Sequence, residues 1–196
     1  MVSSVNGALF LFQAVLDDLI ELRYISPSDQ QILQREVFLS LEFAMGDRGT
    51  ISEKEAVDAI CARVPGHLHE AVHDFIYRQN RAILPIPGME ELLHCLKDQG
   101  HHLFLLSNTS ITFHRFRAGI PGIELFDETL ISADVGLVKP DPTIFRLACE
   151  QFGIKPHESA FIDDAPINAE AAQYAGMRAY VFQGDVDELE KWLTEK

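Results

Sequence analysis

Along the first part of the chain, apolar residues recur three and four positions apart, the spacing of one helix face. Leu16, Leu19, Ile20 and Tyr24 share such a face. Pro27-Ser28-Asp29 offers a helix start before Ile32, Leu33, Val37 and Leu41. Gly46-Asp47-Arg48-Gly49 reads as a turn. Ser52-Glu53-Lys54-Glu55 then has the form of a capping box and opens a helix through Ala56, Ile60 and Val64. A further helix carries Val72, Phe75 and Ile76. Nothing from Leu16 to Arg81 has the pattern of a strand.

After Pro85 the pattern changes. Met89, Leu92, Leu93 and Leu96 lie at helical spacing and Gly100 closes that helix. The apolar run Leu103 to Leu106 stops at Ser107-Asn108-Thr109, and Thr129 to Ser132 is a second strand. Phe145, Ala148, Cys149 and Phe152 mark a helix ending at Gly153. Ala160-Phe161-Ile162 is a buried strand that runs into Asp163-Asp164. Ala169 to Tyr174 is a helix closed by Gly176, Ala179 to Phe182 a strand, and Leu189, Trp192 and Leu193 lie on a last helix. Strands alternating with helices imply a doubly wound α/β domain with a parallel sheet covered on both faces. Sites in such sheets lie beyond the carboxyl ends of the strands, which is where Ser107, Lys139, Asp163 and Asp164 fall.

Composition narrows the partners. Apolar residues make up 47% of 196, enough for a packed α/β core and a small accessory domain. The formal charge of −14 argues against non-specific binding to nucleic acid or to an anionic membrane. It also means that an anionic ligand needs a local device, such as a cation, a lysine or helix N-termini, to offset the field. Cys61, Cys95 and Cys149 have no CxxC spacing and read as reduced thiols of a cytoplasmic protein. The apolar stretch from Ala8 through Phe12 to Leu16 lacks a basic flank and is interrupted by Asp17 and Asp18, so neither a signal peptide nor a membrane span is expected.

Three segments carry chemistry. Ser107-Asn108-Thr109 is a strand-ending turn that also presents hydroxyl and amide donors. Lys139 precedes Pro140, which restricts its backbone and holds it in a defined loop. Asp163 and Asp164 are adjacent carboxylates at a buried strand end; they repel unless a cation offsets them, and Mg²⁺ suits such oxygen ligands. A helix N-cap is the other reading of that pair.

Taken in order, LLSNT, VGLVKPDPTIF and FIDDAPINAEAAQYAGM resemble the second, third and fourth motifs of haloacid-dehalogenase-type hydrolases, over about Ile86 to Phe182. The resemblance is to the small helical-cap subfamily that includes sugar-phosphate phosphatases. It implies a core of residues 1–13 and 85–196 and a helical cap of residues 14–84 inserted after the first strand. It implies Mg²⁺-dependent hydrolysis of a small phosphorylated metabolite by a monomer or homodimer. In that family an Asp attacks phosphorus, or carbon in dehalogenases. Ser107 matches the phosphoryl-binding hydroxyl, with Asn108 adding donors. Lys139 matches the cation bridging nucleophile and phosphate, Asp163 and Asp164 match the metal site, and Asn168 is placed to orient it.

The family's first motif departs from pattern. It should read Asp-x-x-Gly-hydrophobic-Leu, and the chain offers Ser3-Ser4-Val5-Asn6-Gly7-Ala8-Leu9. Counting back from Gly7 puts Ser4 at the nucleophile and Asn6 at the general acid. A serine hydroxyl is neutral and a poor nucleophile without a neighbouring base. Asn6 cannot deliver a proton, although its main-chain carbonyl could bind the metal. Three explanations stand open: a relative that kept the pocket for binding or regulation, a sequence with an altered start, or substitution by Asp17 or Asp18, which lack the following glycine. A 2-haloacid dehalogenase fits less well, because its chemistry needs no metal. His67, His69 and His73 lie close together, and His69 and His73 have the i, i+4 spacing of a zinc pair; with no further ligand pattern they read as solvated. His101-His102 and Arg48 read as surface residues, with Arg48 within reach of an anion from the cap. Phe113, Phe116 and Phe126 read as packing.

Overall fold

The computed structural model describes residues 2–3, 25–77 and 86–195, with backbone alone at 2–3. Ser4, Asn6, Asp17, Asp18 and the helix expected at Leu16 to Tyr24 lie outside the described residues.

Residues 25–77 form a helical layer. Helix α1 (Pro27–Leu33) starts at the expected place, with Ser26 as N-cap, Pro27 in the first turn and Asp29 completing a capping box. The sequence pattern suggests one helix from there to Leu41. The structure instead passes through a π-helical turn, Gln34–Phe38, and breaks at Ser40. The Ser40 hydroxyl takes the Phe43 amide and opens a new helix, α2 (Leu41–Asp47). A serine that caps offers the backbone a competing hydrogen bond, and here it outweighs apolar periodicity. The capping box at Ser52 and Glu55 forms as expected and starts α3 (Glu53–Cys61), and α4 (His69–Tyr77) follows. Ile60, Leu68, Val72, Phe75 and Ile76 bury together with Leu33 and Val37, so among the described residues this layer has an apolar core of its own.

Residues 86–195 form the α/β layer: α5 (Met89–Asp98), β2 (Phe104–Ser107), α6 (Phe113–Phe116), β3 (Glu128–Ile131), α7 (Ser132–Val135), α8 (Pro142–Phe152), β4 (Ala160–Asp163), α9 (Pro166–Tyr174), β5 (Arg178–Val181) and α10 (Val186–Thr194). With β1 (Val2–Ser3) they make a parallel five-stranded sheet of order β3-β2-β1-β4-β5. The doubly wound parallel sheet expected from the sequence is therefore present. Strand β1, short as it is, is central: Ser3 lies level with Leu105 of β2 and Ile162 of β4.

Alternation along the strands covers both faces. Phe104, Leu106, Leu130 and Phe161 pack with α8 and α9 on one side. Leu103 and Ile162 pack with α5 and α10 on the other, where Leu105 and Ile131 meet the α6 region. Phe145 of α8 meets Phe161 edge to face at 5.2 Å; Phe161 lies on the strand that ends in Asp163 and beside Lys139. Phe145→Ala is expected to cost about 3–5 kcal/mol of stability, read as a lowered denaturant midpoint with an unchanged slope.

Candidate active site

Strands β2 and β4 end side by side around β1, and their last residues are polar. Ser107 closes β2 and is buried. Asp163 closes β4 and is 2% exposed. Between them comes Lys139, carried in the loop before α8 and 4% exposed. Its Nζ donates to Asp163 Oδ2 at 2.7 Å and to the Leu106 carbonyl at 3.0 Å, and lies 5.4 Å from the centre of the Phe161 ring. Burial pulls the lysine's pKa down, and the Asp163 carboxylate pushes it back up.

The loop that presents Lys139 is clamped by Asn108. The Asn108 side chain donates to the Lys139 carbonyl at 2.9 Å and accepts the Lys139 amide at 2.8 Å. This reciprocal pair, between the residue after β2 and a loop 31 positions on, fixes the lysine relative to the strand ends. The Lys139-Pro140 peptide is cis. Asp163 is held equally firmly: its Oδ1 accepts the Ala165 amide at 2.9 Å and the Asn168 side chain at 3.0 Å. Asn168 thus orients Asp163, on α9, five residues away. Asp164 is half-buried. Its pKa is raised by burial first and by the Asp163 carboxylate beside it second, while Lys139 opposes both.

The structure therefore brings Ser107, Asn108, Lys139, Asp163 and Asp164 to one edge of the sheet. The expected Ser4 and Asn6 lie outside the described residues, directly after β1 in sequence. Asp163 and Asp164 offer oxygen donors that suit a hard cation such as Mg²⁺, and the mutual repulsion that raises Asp164 is what a cation would relieve. Among the described residues no third His, Cys, Asp or Glu joins them.

One acidic residue was not singled out from the sequence. Asp47, in the Gly46 to Gly49 turn, comes down from the helical layer toward Lys139. Protein surrounds its carboxyl on most sides, while solvent still reaches it through a crevice. Burial pushes its pKa up to about 7, against the pull of Lys139. The crevice between the layers holds about 380 Å³ and is walled by Phe43, Ile51, Ile76, Ile111 and Ala133 beside Asp47. A turn motif alone carries no sign of this burial.

Arg48 is exposed, and its charge acts on Asp141 of the α/β layer. Of the histidines, His67 pairs with Asp29 at 3.0 Å and His69 and His73 are exposed, so they do not form a metal site. His101 and His102 are exposed as expected. Phe113 is buried, and Phe116 and Phe126 are partly buried against it.

A polar edge at the carboxyl ends of a doubly wound sheet, with a lysine–carboxylate pair and a helical layer beside it, defines a capped α/β protein. The family model of haloacid dehalogenase-like hydrolases matches residues 10–176, and the chain belongs to that family. It is 35% identical over 105 residues to a phosphoserine phosphatase of Thermus thermophilus, a stretch that covers 53% of this chain and 42% of the relative. It is 28% identical over 176 residues to a sesquiterpene phosphatase of Aspergillus oryzae, covering 88% of this chain and 83% of the relative. A family enzyme from Bacteroides thetaiotaomicron, solved with magnesium and inorganic phosphate, has the same fold, with a TM-score of 0.68, 22% identity and 96% of both chains covered. The chain spans less than half the length of the first of these relatives.

Two outcomes follow from the buried charges. Lys139→Met strands a buried carboxylate and is expected to cost about 3–5 kcal/mol, whereas Lys139→Met combined with Asp163→Asn should cost far less than the two single changes added together; urea titration of all four proteins checks this. Asp47 binds its proton more tightly in the folded chain than in the unfolded one. Its unfolded value is near 3.8 and its folded value about 7, so between those pH values the folded state holds more protons and stability falls as pH rises. Asp47→Asn removes that slope, and its melting temperature should gain on the unsubstituted chain between pH 4 and pH 7.

Proposed function

We propose that this chain is a Mg²⁺-dependent phosphatase of a small phosphorylated metabolite, with residues 1–13 and 85–196 as core and 14–84 as cap. The observation that carries the reading is Lys139 pinned between Asp163 and the end of β2. On a protein of charge −14, a phosphate ester needs a fixed positive group at the place where it reacts. A buried ammonium, positioned by Asn108 and Asp163, supplies one without reorganisation.

Geometry supports the roles of Ser107, Asn108, Lys139 and Asp163, and sequence position that of Asn6. Ser107 and the backbone after it present donors to the phosphoryl oxygens. The Asn108 side chain is occupied in holding Lys139, so its contribution to the phosphate is through its main chain. Asp163 sets the lysine, and Asp164 with Asp163 and the Asn6 carbonyl would hold Mg²⁺, which supplies charge neutralisation when bound. The leaving group would occupy the crevice above Asp47, with the cap excluding water. The phosphatases among the relatives favour phosphorus over carbon as the point of attack. The acidic pair also favours a metal-using reaction over 2-haloacid dehalogenation. The three cysteines are free, in keeping with a cytoplasmic protein. Among the described residues no helix is long and apolar enough to cross a membrane.

Ser4 favours a second reading, a binding or regulatory protein that keeps the pocket without the nucleophile. Hydrolysis of p-nitrophenyl phosphate by the chain and by Ser4→Asp separates the two. The phosphatase reading expects Mg²⁺-dependent turnover, with Ser4→Asp faster by on the order of 10³ or more if Ser4 occupies the nucleophile position. Turnover only in Ser4→Asp supports the binding protein. No turnover and no Mg²⁺ binding in either protein removes the phosphatase reading.

A further inference from the structure

Ser132 is fully buried at the start of α7, directly after β3. Its hydroxyl accepts the Thr109 amide at 2.9 Å. The same hydroxyl has two acceptors for its one proton: the Asp47 carbonyl at 2.6 Å and the Thr109 carbonyl at 3.2 Å. The shorter contact takes the proton, so in this arrangement it goes to the cap turn. With the turn seated, the hydroxyl is fully buried. We infer that Ser132 is a positioning residue that couples the seating of the cap turn 46–49 to the conformation of the loop following Ser107.

When the turn lifts, the Asp47 carbonyl leaves and the hydroxyl keeps only its contacts to Thr109, two residues beyond Ser107. The geometry at Thr109 then changes with the seating of the turn. A serine that merely satisfied the Thr109 amide would need no contact with the cap. The surroundings are shaped for close seating. Gly49 has φ +70°, and a Cβ there would lie 2.2 Å from the Ala133 carbonyl oxygen, so a side chain at this position keeps the turn off α7. Beside it, Arg115 of the α/β layer pairs with Glu53 of the cap. What the coupling does for a phosphoryl group rests on the function proposed above; the coupling itself does not.

The test uses amide resonances of the full chain. Gly49→Ala should move the Thr109 amide when Ser132 is present, and move it less than half as far in a Ser132→Ala background. A Thr109 resonance unmoved by Gly49→Ala, or moved equally in both backgrounds, overturns the inference. Should Ser132→Ala fail to fold, Ser132→Cys, which keeps the size of the side chain and weakens both its hydrogen bonds, serves as the second background, with the same two outcomes deciding. Inorganic phosphate with Mg²⁺ is then added to the unsubstituted chain. Shifts at Thr109 accompanied by shifts at residues 46–49 support the inference, and shifts at Thr109 alone overturn it. No response to phosphate in a chain that passes the Gly49 test overturns the phosphatase reading and leaves the coupling standing.

Discussion

A lysine and an aspartate almost wholly removed from water pair at the carboxyl ends of the central strands, and the surrounding structure is built round that pair. Neither could be buried alone, since an isolated charge in the interior costs several kcal/mol even after relaxation. Lys139 therefore needs Asp163, and Asp163 needs the Ala165 amide and Asn168 for its second oxygen. The pair is weak evidence for stability, because an apolar pair of the same size would pack as well. It points to use, because it sets a lysine at the carboxyl ends of the strands, where sites in such sheets form.

That charge also explains the layout around it. The Asn108 clamp ties the lysine's loop to β2, so the donors after Ser107 and the ammonium cannot drift apart. Asp164 and Asp47 approach the same lysine from the core and from the cap, and both have their pKa raised because burial outweighs its attraction. The site is short of positive charge, which suits a pocket completed by a divalent cation.

Among the described residues, the helical layer and the α/β layer have separate apolar interiors. They meet through polar and steric contacts at Asp47, Gly49 and Glu53 on one side and Ser132, Ala133 and Arg115 on the other. Interfaces of this polar kind are the ones across which neighbouring layers move most readily.

The sequence alone determined the alternation of strands and helices after Pro85, because buried parallel strands need apolar runs and their covering helices need apolar faces. It also placed Ser107, Asp163 and Asp164 at strand ends, where polar residues stop an apolar run, and Lys139 in a loop beyond such an end. The break at Ser40 was hidden, because apolar spacing continues across it and only the capping bond interrupts the helix. Tertiary structure alone decided that Asn108 would hold the lysine's loop, that Asp47 would be carried from a cap turn to the reactive edge, and that Ser132 would bridge the two layers. Each depends on residues 23 to 85 positions apart meeting, and local patterning holds no record of such distances.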